Sequence, residues 1–191
     1  MPKKSSEAYA ARLDIDYPDR LDRLTTFFRP ILMIPIAIIL SLLSTGLWFA
    51  TLLMIVFRVK YPRWWFEFAR ELARFNTRVG AYAALLTDSY PSTTKDQAVH
   101  LDIDYPDAQK DLNRWMPLVK WLLAIPHYVI LAILWLFAFF AIVVAWFAIL
   151  ITGRYPKGLF NYVVGLFRWT LRVSAYMYLL VTDKYPPFGM G

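Results

Sequence analysis

Two long apolar stretches set the pattern of this chain. Pro30 to Phe57 runs for 28 residues without a charge, and Trp121 to Gly153 for 33, with His127 the only group there that titrates near neutrality. A helix crosses the hydrocarbon core of a bilayer with about 20 apolar residues, so each stretch is long enough. A soluble core built from a chain of this size cannot enclose both stretches on every side. Each stretch is followed by a different pattern. Glu67, Arg70, Glu71, Arg74 and Arg78 recur at helical spacing within an arc of roughly 100°. Trp64, Trp65, Phe66, Phe68, Leu72, Phe75, Val79 and Tyr82 fill the other positions, which predicts an amphipathic helix. Asn161, Arg168 and Arg172 keep that register later in the chain, in a narrower polar stripe. Ahead of each apolar stretch stands a short alternation: Leu13, Ile15 and Tyr17 with Asp14 and Asp16, then Leu101, Ile103 and Tyr105 with Asp102 and Asp104. This predicts a short strand ended by Tyr-Pro. Two such strands can pair if both lie on one side of a membrane.

The pattern is a tandem duplication. Leu13 to Asp19 returns as Leu101 to Asp107, and Leu32-Met33-Ile34-Pro35 answers to Leu123-Ala124-Ile125-Pro126. Lys60-Tyr61-Pro62-Arg63 answers to Arg154-Tyr155-Pro156-Lys157, and Arg78 to Tyr82 answers to Arg172 to Tyr176. Thr87-Asp88-Ser89-Tyr90-Pro91 closes the first copy and Thr182-Asp183-Lys184-Tyr185-Pro186 the second, with the offset drifting only from 88 to 95. One period and two copies exclude a solenoid. The expected organisation is a polar tail over residues 1–12, a first repeat over 13–91, a linker over 92–100 and a second repeat over 101–188. The expected fold class is an all-α membrane protein of two tandem repeats. Each repeat is a short extended segment, a long apolar helix (transmembrane or hairpin) and an amphipathic helix. Pro35 and Pro126 mark a kink or turn at the start of each long helix, and Ser41 to Gly46 is a candidate turn inside the first. Trp48, Trp115, Trp121, Trp135 and Trp146 suit anchoring at headgroup level.

Insertion and sidedness stay open at this point. Central charges oppose lipid-exposed crossing by the first amphipathic helix, so it is expected to lie in the plane of the interface. If each long run crosses once and each amphipathic helix lies flat, the repeats are inverted and their Leu-Asp-Ile-Asp motifs face opposite compartments. If both helices cross, or the runs turn back as hairpins, the motifs share a side. Basic residues flank both ends of both runs, so the positive-inside rule discriminates little.

Charge and composition narrow the function classes. The chain is 59% hydrophobic and 18% aromatic, with net charge +7 from 21 basic and 14 acidic residues. Arg20, Arg23, Arg29, Arg58, Lys60, Arg63, Arg114, Lys120, Arg154 and Lys157 border the apolar stretches, where cations meet anionic headgroups. That placement argues against nucleic acid as a partner. The polar N-terminus argues against a cleaved signal peptide. Without cysteine there is no disulfide framework and no thiolate nucleophile.

The candidate chemistry is sparse. Arg74 and Arg78, with Arg168 and Arg172, are cationic pairs one helical turn apart, and guanidinium forks suit lipid phosphates. The competing use is internal pairing with Glu67, Glu71, Asp88 or Asp183. His127 and Arg154 form a possible polar site, with His127 expected to be a packed histidine bonded to backbone. Asp14, Asp16 and Asp19 and their twins Asp102, Asp104 and Asp107 lack the glycine and distal glutamate of a calcium loop. They are expected to pair with Arg20, Arg23 or the basic collars. No catalytic constellation, cofactor motif or metal motif is present.

Ile125-Pro126-His127, Gly153-Arg154-Tyr155-Pro156, Arg168-Trp169 with Arg172, and Tyr176 through Thr182-Asp183-Lys184-Tyr185-Pro186-Pro187-Phe188 resemble an uncharacterised prokaryotic integral-membrane family, domain of unknown function 4389, present as a tandem pair. The first copy departs from it with Ile36 in place of the histidine and Val59-Lys60 in place of Gly-Arg. The resemblance implies membrane location and no activity. The expectation is a non-catalytic accessory or scaffold protein of the prokaryotic inner membrane, with lipid headgroups as partners and a homo-oligomer or larger membrane complex as its setting. The alternatives are a homo-oligomeric channel or small-solute transporter, and a membrane-shaping protein.

Overall fold

The computed structural model describes residues 9–93 and 96–191, side chains of residues 42 and 45 excepted. Residues 1–8 of the polar tail and 94–95 of the linker lie outside the described residues. The first repeat supplies β1 (Ala11–Ile15), α1 (Arg23–Leu32), α2 (Ile34–Arg58) and α3 (Arg63–Ala83). The second supplies β2 (Val99–Ile103), α4 (Met116–Leu123), α5 (Ile125–Thr152) and α6 (Lys157–Met177). The fold is mostly helical, and α2 and α5 are long and apolar enough to cross a membrane.

A turn at Met33 and at Ala124 separates a short helix, α1 or α4, from the long one, as the prolines led one to expect, and Pro35 and Pro126 sit in the first turn of the long helix, where proline is tolerated. The candidate turn at Ser41 to Gly46 does not form, and α2 runs unbroken through it. Proline inside α1 has its own consequence. Pro30 has no N–H to offer the carbonyl of Thr26, and the indole N–H of Trp146 donates to that carbonyl instead, at 3.1 Å.

The extended segments pair. β1 and β2 form an antiparallel two-stranded sheet with Leu13 opposite Leu101, Ala11 opposite Ile103 and Ile15 opposite Val99. Leu13 and Leu101 are the same position of the repeat, so a two-fold axis passes through that pair, perpendicular to the sheet. The Leu-Asp-Ile-Asp motifs therefore share a side. Ala11, Leu13, Ile15, Val99, Leu101 and Ile103 are buried, and the residues between them face outward. Two strands alone are marginal in water, and packing on helices supplies the rest.

β1 lies along α6 and β2 along α3, each on the helix of the other repeat. Tyr17 packs on Phe160 at 4.9 Å, and Arg168 Nε donates to Leu13 O at 2.9 Å. Tyr105 packs on Phe66 at 5.0 Å, and Arg74 reaches Leu101 O. The opposite faces of α3 and α6 meet the long helices. Tyr162 OH donates to Leu134 O at 2.8 Å while Trp169 Nε1 donates to His127, so α5 and α6 run antiparallel. Trp65 Nε1 donates to Thr51, and Asn76, Val79 and Gly80 lie with Met33, Ala37 and Leu40, so α2 and α3 do the same. At 100° per residue, Phe160, Arg168 and Arg172 fall roughly opposite Tyr162, Leu166 and Trp169 on α6. The molecule is thus three layers: the sheet, then α3 with α6, then α2 with α5. Tyr17 OH to Tyr155 O, Tyr105 OH to Tyr61 O at 2.7 Å, Arg23 to Ile151 O at 3.0 Å and Arg114 to Val56 O at 2.6 Å tie each repeat to the other in matched pairs.

Candidate functional site

Two cations lie buried at equivalent places in the repeats, each 1% exposed. Arg29 Nη1 donates to Tyr82 O at 3.3 Å and Thr87 O at 3.0 Å, Nη2 pairs with Asp88, and the guanidinium sits 4.5 Å over the Tyr82 ring. Lys120 Nζ donates to Thr182 O at 2.7 Å, pairs with Asp183 at 2.7 Å and lies 5.0 Å from the centre of the Tyr176 ring. Burial pushes the Lys120 ammonium below its usual range, and Asp183 opposes that push. The second oxygen of each carboxylate accepts a backbone N–H, from Asp22 at 2.6 Å and from Asn113 at 2.6 Å. This arrangement explains the repeated Thr-Asp-x-Tyr-Pro motif. It fastens the end of α3 or α6 to the start of α1 or α4. Asp88 and Asp183 therefore belong to Arg29 and Lys120, not to the arginines of the amphipathic helices. The signal was available, because Arg29 and Lys120 hold the same 91-residue offset as Pro35 and Pro126.

Arg74, Arg78, Arg168 and Arg172 are brought to the sheet, in two cavities on either side of it. Arg74 and Arg78 line one of about 700 Å³ with Arg12, Asp14, Asp96 and Asp102. Arg168 and Arg172 line another of about 450 Å³ with Tyr9, Arg12 and the C-terminal Gly191. Each of the four has a partner within the chain. Arg74 pairs with Glu71 at 2.7 Å, Arg78 donates to Ser92 O at 2.5 Å, Arg168 pairs with Asp14 at 2.7 Å, and Arg172 donates to Gly191 O. Burial and the nearby Arg168 lower the pKa of Arg172.

The other expected pairings shift partners. Asp102 and Asp104 hold Arg12, and Asp16 holds His100 at 2.9 Å, in place of the expected Arg20 and Arg23. His127 is fully buried, with the expected backbone partner at Pro186 and an indole besides. Trp169 Nε1–H donates to His127 Nδ1 at 3.0 Å, and Phe188 stacks on the imidazole at 4.0 Å. Ile36 and Phe75 hold the matching positions in the first repeat, where no such pair is possible. Arg154 is distant from His127, at the opposite end of α5. It lines a cavity of about 480 Å³ with Arg20, Arg23, Thr152 and Gly153 at the end of α5. The indole N–H groups of Trp48, Trp135 and Trp146 bond within the chain, to Met177 O, Thr170 and Thr26 O. Trp115 and Trp121 stay exposed.

A cleft of about 490 Å³ lies between the repeats on the side away from the sheet. Leu72, Ala73, Trp135, Phe139 and Phe167 make most of its wall, with Ser44, Asn76, Thr77, Thr170 and Ser174 as polar points. It offers shape and apolar contact but no nucleophile paired with a base.

No curated protein and no solved structure matches the chain. The family described as "Domain of unknown function (DUF4389)" matches it twice, over residues 23–95 and 114–189. Each match runs from a short helix through the long apolar helix and the amphipathic helix to the Tyr-Pro that closes the repeat. The chain belongs to that family, as a tandem pair of its domain.

Proposed function

We propose that this protein is a non-catalytic membrane scaffold element. It beds the α2 and α5 layer in hydrocarbon and turns the charged sheet face to water, where headgroups and protein partners meet it. The observation that carries the reading is the order of the layers. Ile38, Phe49, Leu53 and Phe57 on α2, and Ile133, Phe137, Phe140, Val144 and Ile151 on α5, are all exposed. Only 25% of the most apolar window of α2 and 17% of that of α5 are buried, whereas the core helix of a soluble domain is mostly enclosed.

The layers also favour embedding in one leaflet. α5 is antiparallel to α6, and the sheet lies along α6. An upright α5 would carry Arg12, Asp14, Asp16, Asp102 and Asp104 towards the bilayer centre, at about 2.5–3.5 kcal/mol per charge. With the layers flat, the two-fold axis follows the membrane normal and both repeats offer the same faces to the same phases. A wedge of this kind in one leaflet also suits membrane shaping.

The chain has no cysteine, so single-cysteine sidedness is a direct test. Ile31→Cys and Lys60→Cys flank the two ends of α2. Both are expected to react with an impermeant thiol reagent from the same side of sealed vesicles. Labelling from opposite sides would overturn the flat arrangement. A purified chain that stays monodisperse without detergent would overturn the membrane reading as a whole.

A further inference from the structure

We propose that Arg20, Arg23 and Arg154 form a seat for a phosphate group at the end of α5, with an anionic lipid headgroup as its source. The inference rests on the membrane reading above and adds a site to it. The three arginines line a cavity of about 480 Å³ with Leu21, Thr152 and Gly153, and no carboxylate lines it. Its walls are fixed. Leu21 N–H donates to Gly153 O at 3.0 Å, and Arg23 Nη2 donates to Ile151 O at 3.0 Å. Gly153 turns the chain beside Arg23 at φ +73°, a backbone conformation that L side chains rarely adopt.

The other repeat provides the internal control. Its loop is built in the same way, with Arg114 donating to Val56 O and Phe57 O as Arg23 does to Ile151 O. Yet Asp111 stands where the first site has Arg20, and Lys60 where it has Arg154. The fold therefore uses one arginine in both sites, while the second has an acid in place of Arg20 and a lysine in place of Arg154. Arg20 is surplus to the architecture, and Arg20 and Arg154 line a cavity with no carboxylate. A phosphate accepts several charge-assisted hydrogen bonds and offsets the repulsion among three guanidinium groups. Ile151, which holds Arg23 by its carbonyl, exposes its side chain by 73%. Cationic donors beside bare apolar surface fit a phosphate that carries a hydrocarbon chain.

The test compares the wild-type chain with the Arg20→Gln/Arg154→Gln double variant, which keeps the structural Arg23. Each is purified in neutral detergent and mixed with phosphatidic acid and phosphatidylcholine, and retained lipid is read by native mass spectrometry. Preference for phosphatidic acid is expected to fall about tenfold in the double variant. Arg63→Gln/Lys110→Gln, which removes two exposed charges elsewhere, is expected to leave it unchanged. Equal loss in both variants, or no loss in the first, overturns the seat. Inorganic phosphate is titrated calorimetrically in parallel. Arginine-dependent binding of free phosphate by a wild-type chain that shows no preference for phosphatidic acid would keep the seat and overturn the lipid source. This arm reads the seat even if the membrane reading fails, so the two failures remain distinct.

Discussion

Among the described residues, three that are not glycine hold left-handed backbone: Val59 at φ 48°, Leu85 at φ 65° and Leu180 at φ 57°. Leu85 and Leu180 are equivalent positions, and both side chains are buried, so packing offsets the cost of the conformation. Val59 is a different case. It caps α2 as Gly153 caps α5, and a β-branched residue there carries strain that glycine does not. Val59→Gly is therefore expected to stabilise the fold by about 1 kcal/mol, measured by denaturation in a fixed detergent. The buried ion pairs give the opposite sign. Asp88→Asn leaves Arg29 buried without its counter-charge and should cost about 3 kcal/mol. Adding Arg29→Met should recover part of the loss, because the stranded charge is then gone. A double variant no more stable than Asp88→Asn would refute this account.

At the scale of elements, Trp146 and Pro30 are coupled across the repeats. Trp146→Phe strands the Thr26 carbonyl and should cost about 1 kcal/mol. Pro30→Ala returns an N–H to that carbonyl within α1, so the cost of Trp146→Phe should shrink in its presence. A double-mutant cycle with no coupling would mean that the indole acts by packing alone. Its contribution would then be packing, on Phe27 at 6.1 Å and Phe147 at 4.9 Å. The same logic applies to the strand contacts. Neither strand has its helix in its own repeat, so a single repeat expressed alone lacks the surface that supports its extended segment.

Across the whole molecule, stability is tied to protons held by buried phenols. Tyr61 and Tyr155 anchor the ends of the long helices, and burial raises both phenols above the usual 10.0. Above pH 10 the unfolded chain releases these protons while the folded chain keeps them. Stability is then present in full below pH 10 and lost as pH climbs through the folded values. Lys120 pulls the other way, since its folded value lies below 10.5, but burial raises the phenols of Tyr9, Tyr176 and Tyr178 as well. Unfolding followed against pH should show a fall above pH 10 that Tyr155→Phe makes shallower. A stability that rises through that range would remove the phenols from the account.

The chain's own periodicities determined much of this. Apolar runs of membrane length, the spacing of Arg74, Arg78, Arg168 and Arg172 on amphipathic helices, and the alternation about Asp14 and Asp102 are local patterns, and each produced its element. The duplication determined which contacts recur as twins, as those of Arg29 and Lys120 do, while Ile36 and Phe75 leave the His127–Trp169 pair without one. Tertiary structure decided the partners. Arg29 and Lys120 read as two more collar arginine and lysine positions until the chain folds back and brings Asp88 and Asp183 to them. The partners of the Trp48, Trp135 and Trp146 indoles are likewise carbonyls and a hydroxyl on distant helices, which no local pattern displays. Helix and strand follow from periods of a few residues, which a sequence displays directly. Which charge meets which depends on how layers stack and repeats exchange strands, and those distances exist only in the folded chain.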